Sequence, residues 1–104
     1  MEKSRLESLR EFLRGNPNDA FVRYGLAQEY LRQGDVENAV GEFRELLRQN
    51  PDYAAAYYHC GQALQKLGRA EEARGVYREG MNVTARLGNE HARSELQAAL
   101  EMLG

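Results

Sequence analysis

Shifted by 34 residues, the chain falls onto itself. Asn16-Pro17 lands on Asn50-Pro51, Ala20 on Ala54, Tyr24 on Tyr58, Gln28 on Gln62, Gly34 on Gly68, Glu37 on Glu71, Ala39 on Ala73, Gly41 on Gly75, and Arg44-Glu45 on Arg78-Glu79. By direct count 11 of 34 positions are identical. A chain of 104 residues has room for two such units and a flank at each end. Repetition on this scale belongs to architectures in which a unit cannot bury its apolar face alone and must stack on its neighbour.

Inside each unit the apolar residues recur at helical spacing: Leu26, Tyr30 and Leu31 in the first half, then Val36, Ala39, Val40, Phe43 and Leu47 in the second. Each unit is therefore predicted to be two helices. Gly34 and Gly68 mark the break between them, since glycine takes the left-handed conformation that ends a helix at little steric cost. Asp35 suits the N-cap that follows, while Arg69 cannot accept the orphan amide, leaving Glu71 and Glu72 to complement the helix dipole. Between units, Pro17 and Pro51 stop the incoming helix, and Asn18, Asp19 or Asp52 can cap the next one.

The flanks read the same way. Residues 4–14 place Leu6, Leu9, Phe12 and Leu13 on one stripe ending at Gly15, which predicts a single amphipathic helix. After Gly88-Asn89, the residues Ala92, Leu96, Ala99, Leu100 and Leu103 form a stripe opposite Glu90, Arg93, Glu95 and Glu101, which predicts a half-buried closing helix. One domain over residues 1–104 is expected: an N-terminal helix (1–15), repeat 1 (16–49), repeat 2 (50–87) and a capping helix (88–104). Glu7–Arg10, Glu11–Arg14, Glu29–Arg32, Glu71–Arg74 and Glu90–Arg93 are spaced to pair along solvated helix faces.

Charge and composition exclude several classes of function. Fourteen Lys and Arg against sixteen Asp and Glu give a net charge of −2, without the positive excess that binds a phosphate backbone, so nucleic acid is not an expected partner. No stretch approaches the roughly 18 apolar residues of a membrane span. The start, Met1-Glu2-Lys3-Ser4-Arg5, lacks the apolar core of a secretory signal, so a soluble, cytoplasmic protein is expected.

Chemistry-bearing residues are few. Cys60 is the sole cysteine and sits at a core position, as a buried structural thiol. His59 beside it points about 100° away around the helix, too far for both to ligate one metal. His59 is expected at the surface, and His91 has no partner at metal-binding spacing. Ser4, Ser8, Ser94 and Thr84 lie on helix faces without a strained nucleophile turn, and no glycine-rich phosphate loop occurs. Glu71-Glu72 and Glu42-Glu45 read as dipole and surface charges. No enzyme activity, metal or cofactor is expected. Gly41 and Gly75 recur in mid-helix, where each costs roughly 1 kcal/mol against alanine, either for close packing or through passive copying.

The period, the two-helix unit and these residues together resemble the tetratricopeptide repeat family. Its small residue at the eighth position of the first helix is met by Ala27 and Gly61, and its preceding leucine by Leu26 but not Cys60. Its tyrosine is met by Tyr30 but not Leu64, its second-helix alanine by Ala39 and Ala73, and its aromatic by Phe43 and Tyr77. A second small residue is met by Gly80 but not Leu46, and the closing proline by Pro51, with Ala85 in the second unit. Ala85 lets that helix continue to about Leu87. The bulky aromatic early in the first helix is Tyr57 in one unit but Arg23 in the other, so Phe12 or Phe21 is expected to fill the space.

The resemblance implies an all-α fold: a short α-solenoid of two helix hairpins, an N-terminal half-repeat helix and a C-terminal capping helix. It also implies which residues face the concave groove. These are Phe21, Tyr24, Gln28, Leu31 and Arg32 in the first unit, and Ala55, Tyr58, Gln62, Gln65 and Lys66 in the second. Tyrosines beside amides suit an extended backbone, since Tyr supplies apolar area at low entropy cost and Gln both donates and accepts. Family members that grip a chaperone tail's C-terminal carboxylate carry Lys and Asn at the fifth and ninth positions. Tyr24, Gln28, Tyr58 and Gln62 do not fit that pattern. The expected role is a non-catalytic adaptor holding a peptide or helix of another protein. The alternative is a structural unit that pairs with itself as a homodimer or larger homo-oligomer, through Leu6, Leu9 and Phe12 or through Leu100, Met102 and Leu103.

Overall fold

A computed structural model describes residues 2–104. The described residues form six helices: α1 (Arg5–Gly15), α2 (Ala20–Arg32), α3 (Val36–Gln49), α4 (Ala54–Lys66), α5 (Ala70–Leu87) and α6 (Glu90–Leu103). Helices α2 and α3 pack as one hairpin and α4 and α5 as the next, with α3 against α4 joining them. At the ends, α1 packs on α2 and α6 on α5 with a lesser contact to α4, giving an elongated body of 47 × 28 × 19 Å.

Both hairpin turns are built on glycine. Gly34 (φ 81°) and Gly68 (φ 75°) adopt the left-handed conformation. The following amides then reach back to the open carbonyls, Asp35 N–H to Tyr30 O at 2.8 Å and Arg69 N–H to Leu64 O at 2.9 Å. Ser4, Asp19, Asp35 and Asn89 cap α1, α2, α3 and α6, each accepting from the amide three residues on. Asp52 does not cap α4. Its carboxylate pairs instead with Arg86 at 2.5 Å, and the cap position falls to Tyr53, which makes no side-chain cap bond. Arg69 also caps nothing, but binds Glu72 and Glu37, tying the start of α5 to the start of α3.

The core is a continuous seam of Leu26, Ala27 and Tyr30, then Ala39, Val40, Phe43 and Leu46, then Ala56, Tyr57, Cys60, Ala63 and Leu64, then Ala73 and Tyr77. The end helices add one buried apolar residue each, Leu13 and Leu96. Each large side chain so buried contributes about 1.5–3 kcal/mol, so the central four helices hold the fold and the outer two shield it. Leu6, Leu9, Leu100 and Leu103 pack against this core as partly buried residues of the same chain.

Phe12 departs from the expected stripe and is 47% exposed. One period on, its counterparts are Leu46 and Gly80, both buried; Gly80 lies against Tyr57 on the first helix of its own unit. No such helix precedes α1 among the described residues, so this face of α1 stays open. Neither Phe12 nor Phe21 fills the space beside Arg23. Arg23 fills it itself: its guanidinium donates to Pro17 O at 2.8 Å and to Glu42 at 2.6 Å. Tyr57, its counterpart, donates its hydroxyl to Pro51 O at 2.6 Å. Two unlike side chains thus anchor the same proline carbonyl, six residues back in each unit.

Not all the expected ion pairs form. Glu29–Arg32, Glu71–Arg74 and Glu90–Arg93 do, whereas Glu11 pairs with Lys3 and Glu7 accepts from Ser4. Glu29 is not a solvated surface charge, being only 4% exposed.

The glycines separate into two kinds. A Cβ on Gly80 would lie 2.6 Å from Tyr57 Cβ, and one on Gly61 would lie 2.1 Å from Tyr77 Cε1. Gly41 and Gly75 are exposed and have nothing within 4 Å, so close packing is not why they recur. Gly41→Ala and Gly75→Ala should each stabilise the protein by about 1 kcal/mol in urea unfolding. Gly61→Ala and Gly80→Ala should each destabilise it by about 1–3 kcal/mol. A reversed ranking would contradict this packing.

Candidate binding groove

The residues expected to face a groove lie on α2 and α4, and α6 packs beside α4. Tyr24 projects from α2 into a cluster of rings, 5.4 Å from Tyr53, 5.7 Å from His59 and 6.1 Å from Phe43 between centroids. Tyr58 meets His59 edge-on at 5.5 Å. His59 is thus half-buried among aromatic rings rather than at the surface. Burial holds its imidazole below the ordinary value of 6.5, with Glu95 opposing weakly, so the ring is neutral in the fold.

Two hollows flank this cluster. One of about 500 Å³ lies between α1 and α2 and gathers Phe21, Tyr24, Gln28 and Arg32 with Leu9 and Arg5. The other, about 400 Å³, lies between α4 and α6 and gathers Tyr58, Gln62 and Gln65 with Glu95, Ala98 and Met102. Phe21 and Met102 stand 77% and 87% exposed at these two places. Seven of the residues expected in the groove therefore line one hollow or the other. Leu31 instead packs partly buried against the core, and Ala55 and Lys66 are exposed outside both.

The paired amides are not equivalent. Gln62 donates to the Tyr77 hydroxyl at 2.7 Å, and that hydroxyl donates to Gln65, so both glutamines are engaged in holding α4 to α5. Phe43 stands where Tyr77 stands and has no hydroxyl, which leaves Gln28 without this partner.

Sequence reasoning missed Glu29 as a buried group. Arg32 and Gln33 donate to its carboxylate and Arg5 lies 3.4 Å away. The Arg32 hydrogen bond holds this carboxyl below its ordinary range, overcoming the opposite effect of burial. The repeat carried a signal: one period on, the same position is Ala63, which is buried.

The cysteine and the buried threonine both lie inside the fold. Cys60 is fully buried and burial pushes its thiol up to about 11, far from the thiolate a nucleophile requires. Thr84 is buried and donates its hydroxyl to Gly80 O at 2.8 Å. Among the described residues no three His, Cys, Asp or Glu side chains come together as a metal site, and no helix is long and apolar enough to cross a membrane.

Comparison with known proteins gives a consistent picture. Residues 24–81 match the tetratricopeptide repeat family. A tetratricopeptide repeat domain protein from Salinibacter ruber, solved in solution, is 38% identical, with 84% of this chain and 88% of that one covered at a TM-score of 0.80. Protein BPP2914 from Bordetella parapertussis is 24% identical, with 98% and 89% covered at 0.82. PcrH, solved in complex with the chaperone binding region of PopD, is 16% identical, with 94% and 74% covered at 0.86. No functionally curated protein matches the sequence.

The neutral, ring-enclosed His59 makes stability depend on pH. Because its folded pKa is depressed, its contribution is complete above about pH 6.5 and is lost as pH falls through the folded value. Urea unfolding at about pH 7.5 and about pH 5.5 should show the wild type weakening more than a His59→Phe variant over that interval. Equal losses would contradict the enclosed, neutral imidazole.

Proposed function

The chain belongs to the tetratricopeptide repeat family, and from that premise we propose that it is a non-catalytic adaptor whose concave face holds a segment of another protein. Residues 1–104 act in this reading as one binding domain. The observation that carries it is the pairing of two hollows with exposed Phe21 and Met102 on either side of the Tyr24–His59–Tyr58 ring cluster. Isolated exposed apolar residues are ordinary, but large ones beside concave surface with polar groups at its edge fit a protein-binding site.

The fold is suited to this task for a physical reason. Stacked hairpins are held by core contacts that do not involve Phe21, Gln28 or Met102, so these positions are free to vary with the partner. Half-buried Tyr24 is held by its ring neighbours and presents a surface that loses little side-chain entropy on binding. PcrH, which shares the fold, is an example in which it is found with a segment of another protein.

A photo-activatable phenylalanine analogue placed at Phe21 or Met102 should cross-link a partner in cells, while the same group at Arg78, exposed on α5, should not. Cross-linking from Arg78 alone would overturn the groove assignment.

A further inference from the structure

The α3–α4 and α1–α2 seams occupy equivalent places one period apart, and the first is filled where the second is open. Between the two units His59 of α4 fills the seam, its ring stacked on Phe43 at 6.3 Å with the planes 16° apart and edge-on to Tyr24. One period earlier, the position of His59 is Gly25 on α2, and the position of Phe43 is Leu9 on α1. A Cβ built on Gly25 would lie 4.0 Å from Leu9 Cδ2, so a side chain there would enter the α1–α2 seam just as His59 enters the next one. Glycine supplies none. The hollow of about 500 Å³ described above opens in its place, bounded by Leu9, Phe21, Tyr24 and Gly25.

We propose that this hollow receives an aromatic side chain of a partner protein, inserted where His59 lies in the following seam, on a segment whose neighbouring residues are acidic. The proposal rests on the concave-groove reading and names what that groove selects. The aromatic preference follows from the internal precedent and from the walls: Tyr24 already accepts one ring edge-on, and Phe21 offers a second ring that is 77% exposed in the free chain. The acidic preference follows from charge. Arg5 and Arg32 line the hollow with side chains 68% and 69% exposed, against the single carboxylate of Glu29, which is buried and already engaged. The three charges sum to +1, so acidic residues beside the anchor are attracted and basic ones repelled. The hollow between α4 and α6 is lined instead by Glu95 and no cation, so the two ends of the groove favour opposite charges.

The test is a titration of the isotope-labelled full chain with a blocked pentapeptide, one phenylalanine between two pairs of glutamates, followed by amide chemical shifts up to millimolar peptide. Shifts should centre on Leu9, Phe21 and Gly25. Serine in place of the phenylalanine, or lysines in place of the glutamates, should weaken binding about tenfold or more. Gly25→His should weaken it by a similar factor while leaving the melting temperature unchanged or higher, because the new ring occupies the hollow and replaces a mid-helix glycine. Phe21→Ser, at an exposed position, should weaken binding with the fold intact. Absence of shifts, or binding that Gly25→His leaves unaltered, would overturn the proposal. Shifts confined to Tyr58, Gln62 and Met102 would overturn it while leaving the groove reading in place. Shifts at Gly25 that grow with protein concentration alone would make a second copy the occupant and would also overturn it.

Discussion

In the second hairpin, two tyrosines lie in the places of two missing side chains. Tyr77 of α5 covers Gly61 of α4, and Tyr57 of α4 covers Gly80 of α5, each ring occupying volume that a Cβ would otherwise take. The interlock is reciprocal, with one ring and one glycine on each helix, so neither helix can slide or rotate without exposing an aromatic face or creating a clash. Both rings are fully buried, and their hydroxyls are satisfied at the edges by Pro51 O and by Gln62. The remaining order depends on this contact: α6 reaches the stack through Leu96, which touches the same Gly80.

The first hairpin reaches the same geometry with other residues. Ala27 replaces the first glycine and Phe43 the tyrosine, and Leu46 stands where Gly80 stands. All three are fully buried. Arg23 takes over the anchoring of a proline carbonyl from an aromatic hydroxyl, which it can do because Glu42 neutralises it at 2.6 Å in a site where its side chain is only 13% exposed. A repeat of this kind constrains shape more tightly than chemistry. A guanidinium and a phenol are interchangeable where the requirement is one donor at a fixed reach.

The two hollows lie beside the outer helices α1 and α6. The rings of Tyr24, Phe43 and His59 pack together where α2, α3 and α4 meet. Among the described residues no first helix packs on the Phe12 face of α1, Phe12 is uncovered, and the seam beside Gly25 is open. Arg5 marks the same asymmetry. It stands one period before Ala39 and two before Ala73, both fully buried, yet at the start of α1 it reaches into solvent and toward Glu29.

Much of the architecture was present in the amino-acid order. The 34-residue self-match, Gly34 and Gly68 at left-handed turns, Asp19 and Asp35 as caps, and Ala85 in place of proline are local or periodic features, and local hydrogen bonding or sterics decides them. They specify where helices begin, end and repeat. What periodicity cannot specify is whether a neighbour is present to meet a given position. Tyr24 and Tyr58, or Gln28 and Gln62, are equivalent by register, yet Gln62 meets a phenol and Gln28 does not. His59 fills a seam, Glu29 is buried and Gly25 borders a hollow only because of what stands across from them. Those differences arise between helices far apart in the chain, where burial and pairing are settled by packing in three dimensions.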